Sequence, residues 1–327
     1  MTKDNRHKDF TAELSAKDKV LYYIIFGIVY IFSLLPFPVL YLLSDLLYLL
    51  IYRVVGYRRK LVRNNLRDSF PEKSAEELLR VEKKFYHFFC DYILETVKLA
   101  TISEDEMRRR VMFKGMEHVH DCINKGHNVA LYIGHYCNWE WVTSIGLHLN
   151  EGVKGMQVYH ILNNKAFNAL LLYIRGRMGT ESVSMQVILR KIVEKNKAQQ
   201  TFVVGFISDQ VPLYPATRYW TDFLNHKDTI VITGAEVIAK KFDFSCVYFD
   251  ISRPKRGYYN IDIVPMVESA KGIPDWDITE QYFRLIEKSI QRAPEYWLWT
   301  HNRWKRDRKG YEQWKKEAEA STSSRKE

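Results

Sequence analysis

His135 and Glu140 sit in the segment NVALYIGHYCNWEW, residues 128–141, and their types fit acid–base chemistry. A neutral imidazole takes a proton from a hydroxyl near pH 7, and a carboxylate on its far ring nitrogen orients the ring and stabilises the cation that forms. Spacing alone is a weak signal, because 39 acidic residues are spread along the 327. Context carries more weight. An apolar run ends at Ile133, Gly134 permits a sharp turn, and His135 follows at the strand's carboxyl end, where open α/β sheets gather their ligand sites. Five residues on a straight helix turn through about 500°, so the two side chains meet only if His135 is in the turn and Glu140 on the helix after it. The competing reading is a core histidine with a satisfied hydrogen bond. Cys137, two residues on, raises a nucleophilic thiol against the ordinary reading of a small buried residue.

The surrounding pattern predicts the elements that must position these groups. Residues 1–19 form a polar N-terminal tail. From Val20 to Val55 the chain is apolar, with Asp45 and Arg53 as its only charges. One helix of that length would run ~54 Å, against a bilayer core of ~30 Å. Pro36 and Pro38 break it in the middle. The segment therefore reads as a membrane anchor, a spanning helix or a kinked helical hairpin. Arg53, Arg58, Arg59, Lys60, Arg63 and Arg67 follow directly and mark this end as cytoplasmic. Between Pro71 and Leu99 apolar residues recur every three to four, with Ser74 and Glu77 as a capping box.

Beyond that helix, strand and helix patterns alternate. Strands are expected over 128–133, 155–160, 202–207, 245–250 and 259–264. Helices are expected over 116–125, 138–149, 165–178, 187–196, 230–241 and 278–292. Such alternation implies an α/β fold, a largely parallel sheet flanked by helices. The catalytic domain would occupy residues 56–317, and 318–327 reads as a flexible tail. The net charge of +10 suits phosphate, an anionic membrane or an acidic partner. The four cysteines show no CxxC spacing, and no metal-ligand or nucleotide-binding glycine pattern occurs. The aromatic segment EYWLWTHNRW, residues 295–304, reads as packing rather than as a nucleic-acid platform.

Several blocks together carry a resemblance. YRRKLVRNNLRDSFPEKS (57–74), FYHFFCDYILETVK (85–98), GHYCNWEW (134–141), VYHILNN with RGRMG (158–164, 175–179), VGFISDQ (204–210), TDFLNHKDTIVITGAEVIAKK (221–241) and APEYWLWTHNRWK (293–305) occur in the order seen in the late acyltransferases of lipid A biosynthesis. Over nearly its whole length the chain resembles this lauroyl and myristoyl transferase family, within the lysophospholipid acyltransferase-like superfamily. Two departures stand out. His160 occupies a place where the family often carries Arg. Glu140 and the Ser-Asp-Gln at 208–210 replace the Asp and the Pro-Glu-Gly-Thr block of glycerolipid acyltransferases, which argues against a glycerol-phosphate acceptor.

The resemblance implies an O-acyltransferase of the cell inner membrane. Its donor would be acyl carrier protein, its acceptor a hydroxyl of a phosphorylated glycolipid, a lipid A precursor. The thioester carries its own activation, so no cofactor and no metal are expected, and no nucleic acid. His135 would be the general base and Glu140 its orienter. Arg175 and Arg177 would bind phosphate or stabilise the oxyanion, unless they form a solvated helix face. Asp209 would orient an arginine or the acceptor, or else cap a turn. Asn138 and Gln210 complete the substrate-binding set, and His301 stands as an alternative base. Rival readings are the same fold acting on another glycolipid or an amino-acid lipid, a non-catalytic lipid- or carrier-binding protein, and a Cys137 thioesterase.

Overall fold

The computed structural model describes residues 6–323. The N-terminal third is helical: α1 (Arg6–Thr11), α2 (Ala16–Leu34), α3 (Phe37–Tyr48) running into a π-helical turn (Leu49–Val55), α4 (Arg59–Ser69), α5 (Ala75–Lys98) and α6 (Glu104–Arg110). The break between α2 and α3 falls at Pro36, whose ring fixes φ at −67° and whose missing N–H ends the ladder. The combined stretch Phe37–Val55 is long and apolar enough to cross a membrane. The first five residues of the expected polar tail lie outside the described residues; the rest is largely helical. Ser74 and Glu77 form the reciprocal capping box at the start of α5.

Next come β1 (Val111–Lys114), α7 (Met116–Asn124), β2 (Val129–Ile133), β3 (Lys154–Tyr159), α8 (Lys165–Arg175), β4 (Thr180–Ser184), α9 (Ile188–Lys197), β5 (Phe202–Ile207), β6 (Trp220–Phe223), β7 (His226–Ile230), α10 (Gly234–Phe242), β8 (Ser245–Lys255), β9 (Tyr258–Val267), α11 (Asp277–Arg292) and α12 (Arg308–Ser323). Seven strands pair in the order β1-β9-β8-β2-β5-β3-β4, and every pairing is parallel except β8 with β9. The expected α/β layering is therefore present. β2 lies in the interior of this sheet, and all five of its residues are buried, as an apolar run covered on both faces requires.

Three expectations change. The helix expected over 138–149 is a 3-10 helix beginning at Trp141, because the residues before it are held elsewhere: Tyr136 bridges Trp297, the Cys137 N–H donates to the Tyr296 carbonyl, and Asn138 donates to Glu95. Helix α10 starts at Gly234 rather than Ile230, since residues 226–230 pair with β6 as a two-stranded ribbon. Residues 318–323, expected as tail, continue α12; 324–327 lie outside the described residues.

Candidate functional site

Parallel register builds the centre of the site. Ile133 at the end of β2 pairs with Ile207 at the end of β5. Two residues past each partner stand His135 and Asp209, so equal lengths of chain bring them together beyond the sheet's carboxyl edge. His135 Nδ1 and Asp209 Oδ1 lie 2.6 Å apart, and the His135 backbone N–H donates to Asp209 Oδ2 at 2.9 Å. The Trp297 indole N–H donates to the same Oδ2 at 2.8 Å. Gly134 is required here for space. A Cβ on it would collide with the buried Ile286 side chain of α11, so close packing favours glycine.

These contacts fix the electrostatics. Burial alone would raise the Asp209 carboxyl, but the His135 ring, the indole and the His135 backbone N–H together hold it below its ordinary value. An ionised Asp209 accepts from Nδ1–H, which assigns the neutral ring its proton on Nδ1 and leaves Nε2 as the basic atom. The Gln210 side-chain nitrogen lies 3.2 Å from that Nε2 and donates to it. The Trp139 ring meets His135 edge-on, with centroids 5.2 Å apart.

The expected partnership of Glu140 with His135 is replaced. The Glu140 carboxylate is gripped by Arg175 through Nε at 2.7 Å and Nη2 at 2.5 Å, and the Tyr92 hydroxyl lies 3.5 Å away. Burial would lower Arg175, but Glu140 outweighs it and raises the guanidinium above its ordinary value. The reason for the exchange is the Tyr136–Trp297 bridge, which turns the chain after His135 before the 3-10 helix begins. Glu140 then faces the end of α8. Tyr92 stacks on Trp139 with centroids 4.2 Å apart, so this second ion pair adjoins the first through two rings.

The other expected residues divide. Gln210 reaches the site. Arg177 does not: its Nη1 donates to the carbonyls of Leu99 and Ile102 and ties down the end of α5. Asn138 is buried, donates to Glu95 at 2.7 Å and accepts from the Trp141 N–H, so it shapes the loop. His160 is exposed and bonds its neighbour's carbonyl. Cys137 points into the core, its Sγ 3.8 Å from the Ile251 carbonyl, and burial pushes its thiol well above the ordinary range; it is no activated nucleophile.

His301 and Arg303 lie within the field of Asp209. Burial pulls His301 down to about 4, with Asp209 opposing, so this ring is neutral at pH 7. Arg303 is fully buried, donates to the Ile230 carbonyl at 2.8 Å, and is drawn by burial to about 10, still cationic. Sequence reasoning took Trp297 for packing alone. The signal was present in its repeated Trp-x-Trp spacing, but nothing in the spacing says which indole reaches a carboxylate. Among the described residues, no group of three or more His, Cys, Asp or Glu is arranged to hold a metal.

Comparison with known proteins agrees with this architecture in extent. The model of the family described as "Bacterial lipid A biosynthesis acyltransferase" matches residues 7–306. The chain is 25% identical over 288 residues to the lipid A biosynthesis lauroyltransferase of Escherichia coli (strain K12), covering 85% of this chain and 89% of that protein. It is 25% identical over 289 residues to the lipid A biosynthesis palmitoleoyltransferase of the same organism, with the same coverage. To the lipid A biosynthesis acyltransferase 2 of Shigella flexneri it is 20% identical over 237 residues, 72% of this chain and 74% of that one.

Proposed function

This chain belongs to the bacterial lipid A biosynthesis acyltransferase family, and on that premise we propose that it moves a fatty acyl chain from acyl carrier protein to a hydroxyl of a lipid A precursor, with His135 as base. Family membership supports acyl transfer to lipid A. The donor, the residue roles and a place on the cytoplasmic face of the inner membrane are our reading. The observation that carries the mechanism is the pairing of a buried Asp209 with a partly exposed His135, whose Nε2 is turned away from the carboxylate.

The acceptor hydroxyl takes the place of the Gln210 amide at Nε2. His135 removes its proton as the oxygen attacks the thioester carbonyl, and Asp209 compensates the imidazolium that results. The tetrahedral oxyanion collapses, the carbon–sulfur bond breaks, and the proton passes from Nε2 to the departing thiolate. Atoms balance without nucleotide or metal. Asp209 thus takes the orienting role expected of Glu140. Arg175, held by Glu140 through Nε and Nη2, brings a fixed positive charge beside the reacting centre for a phosphate or the oxyanion. The excess of basic residues suits an acidic carrier protein.

The test is transfer of a labelled acyl chain from acyl carrier protein to a phosphorylated lipid A precursor, wild type beside His135→Ala. The variant should lose at least ~10²-fold in kcat, the scale of a missing general base. Equal activity in the two proteins would end the His135 mechanism. Failure of the wild type to acylate this acceptor would overturn the substrate assignment.

A further inference from the structure

Both ends of α2 are fastened to the same folded body. Before it, Phe10 packs edge-on against Tyr173 of α8, centroids 6.4 Å apart. Within it, Phe26 meets the same tyrosine at 5.4 Å. At its C-terminal end, the Ser33 and Leu35 carbonyls accept from Lys98 Nζ at 2.7 and 2.9 Å, and the Ser33 carbonyl also accepts from the Thr101 hydroxyl at 2.6 Å. A helix of 19 residues runs about 28 Å, close to the thickness of a bilayer core. If α2 crossed a membrane, its ends would lie on opposite sides, and one domain could not hold both.

The same holds for α3 and its π-helical extension. Along α5, Glu95 accepts from Tyr41 at 3.0 Å, Asp91 from Ser44 at 2.6 Å, and Glu82 from Tyr52 at 3.1 Å. Tyr48 stacks on His87, and the exposed Asp45 pairs with Arg256 at 2.7 Å. A spanning α3 would carry α5, with the exposed Lys84 and His87, to hydrocarbon depth, where charge is costly.

The outward face of these helices is nevertheless apolar. Ile24, Ile28 and Ile31 on α2 and Leu42, Leu46 and Leu50 on α3 and its extension are each at least half exposed, at helical spacing. Exposed apolar faces of this kind mark an interaction surface. The clustered bases that follow include the exposed Arg53 and Lys60, and Arg63 and Arg67, which are exposed but paired with Glu82 and Asp68; this excess of positive charge fits anionic headgroups. An open apolar groove of about 300 Å³ lined by Phe32, Leu47, Leu94 and Val97 runs between the two helices.

We propose that residues 16–55 lie in the plane of a single leaflet as an interfacial hairpin clamped to the catalytic domain, and do not cross the bilayer. This rests on the membrane-bound reading above and deepens it, since the site would then ride at the headgroup level where its lipid acceptor presents hydroxyls.

The test uses the full chain with Cys122→Ser and a single reporter cysteine, Val20→Cys, Ile28→Cys or Leu34→Cys. Each is labelled with a fluorophore and reconstituted by detergent removal into phosphatidylglycerol–phosphatidylcholine vesicles containing lipids brominated at shallow or deep carbons. An in-plane helix gives the three positions the same shallow quenching, within about twofold. Deep quenching at position 28 with shallow quenching at 20 and 34 means a spanning helix and overturns the inference. No quenching anywhere, with protein that fails to float with vesicles, overturns instead the membrane-bound reading beneath it. A triple variant, Ile24→Ser, Ile28→Ser and Ile31→Ser, should lower vesicle partitioning by ~10-fold or more; unchanged partitioning would also refute the proposed surface.

Discussion

Two buried carboxylates lie beside the strand end at His135, and they hold different cations. Asp209 grips an imidazole; Glu140 grips a guanidinium. An imidazole gives up its proton near neutral pH, whereas a guanidinium does not. The Asp209 corner is therefore suited to moving a proton and the Glu140 corner to presenting a fixed charge. The family's His-x4-acid spacing names a carboxylate close to the histidine in sequence, but the pairing that matters to the ring comes from another strand.

The sharpest way to break this contrast is to neutralise the two acids one at a time. Asp209→Asn should keep the fold of the site but favour the wrong tautomer of His135, with a loss in kcat on the order of 10³ and little change in KM. Its pH–rate profile would lose the limb set by the imidazole. Glu140→Gln should act differently. It leaves Arg175 without its counter-ion at a buried place, costing about 3 kcal/mol of stability in a denaturation experiment. It should raise KM for a phosphorylated acceptor and cut kcat by only ~10-fold, the proton-transfer limb remaining. If Glu140→Gln erased that limb and Asp209→Asn did not, the two corners would have to exchange roles.

A finer cut is Trp297→Phe, which removes one of three donors to Asp209 while keeping an aromatic ring in its packed setting. Loss of a charge-assisted hydrogen bond of about 1.5–3 kcal/mol predicts roughly a 10-fold fall in kcat, with the Asp209 carboxyl rising. The smallest effect concerns His301. Its folded value of about 4 lies below its ordinary value, so between those limits the unfolded chain binds the extra proton. The stabilisation this provides is fully present above the ordinary histidine value and is lost as pH falls towards 4. Allowing for partial solvent contact, ~1 kcal/mol should vanish across that window. His301→Gln should flatten it in a series of melting curves while leaving the kcat profile of His135 in place; a lost kcat limb would make His301 the base.

Legibility of the site followed the range of the interactions. The apolar run ending in Gly-His, the break at Pro36 and the Ser74–Glu77 box are local patterns, and each stands in the structure where the residues put it. The contacts of Arg177 and Asn138 were not legible, because an arginine or asparagine near a candidate site looks the same in sequence whether it faces a substrate or, as here, backbone carbonyls and a buried carboxylate. Gly134 was placed correctly for the wrong reason, since no local rule shows that Ile286 would crowd its Cβ.

The sequence by itself determined the α/β alternation and the apolar segment with its break at Pro36, because periodicity and chain stiffness act over a few residues; His135 stood out as a base only once the ordered blocks carried the family resemblance. Only the tertiary structure decided which carboxylate holds that histidine and whether the hairpin can leave the domain. Asp209 lies 74 residues from His135, and the two meet because β2 and β5 are neighbours in matched parallel register. The hairpin is bound around its bend because Lys98, Asp91 and Glu95 face it from α5, and near its end because Glu82 meets Tyr52. Strand order and helix docking are set by packing of the whole core, and no window of sequence contains them.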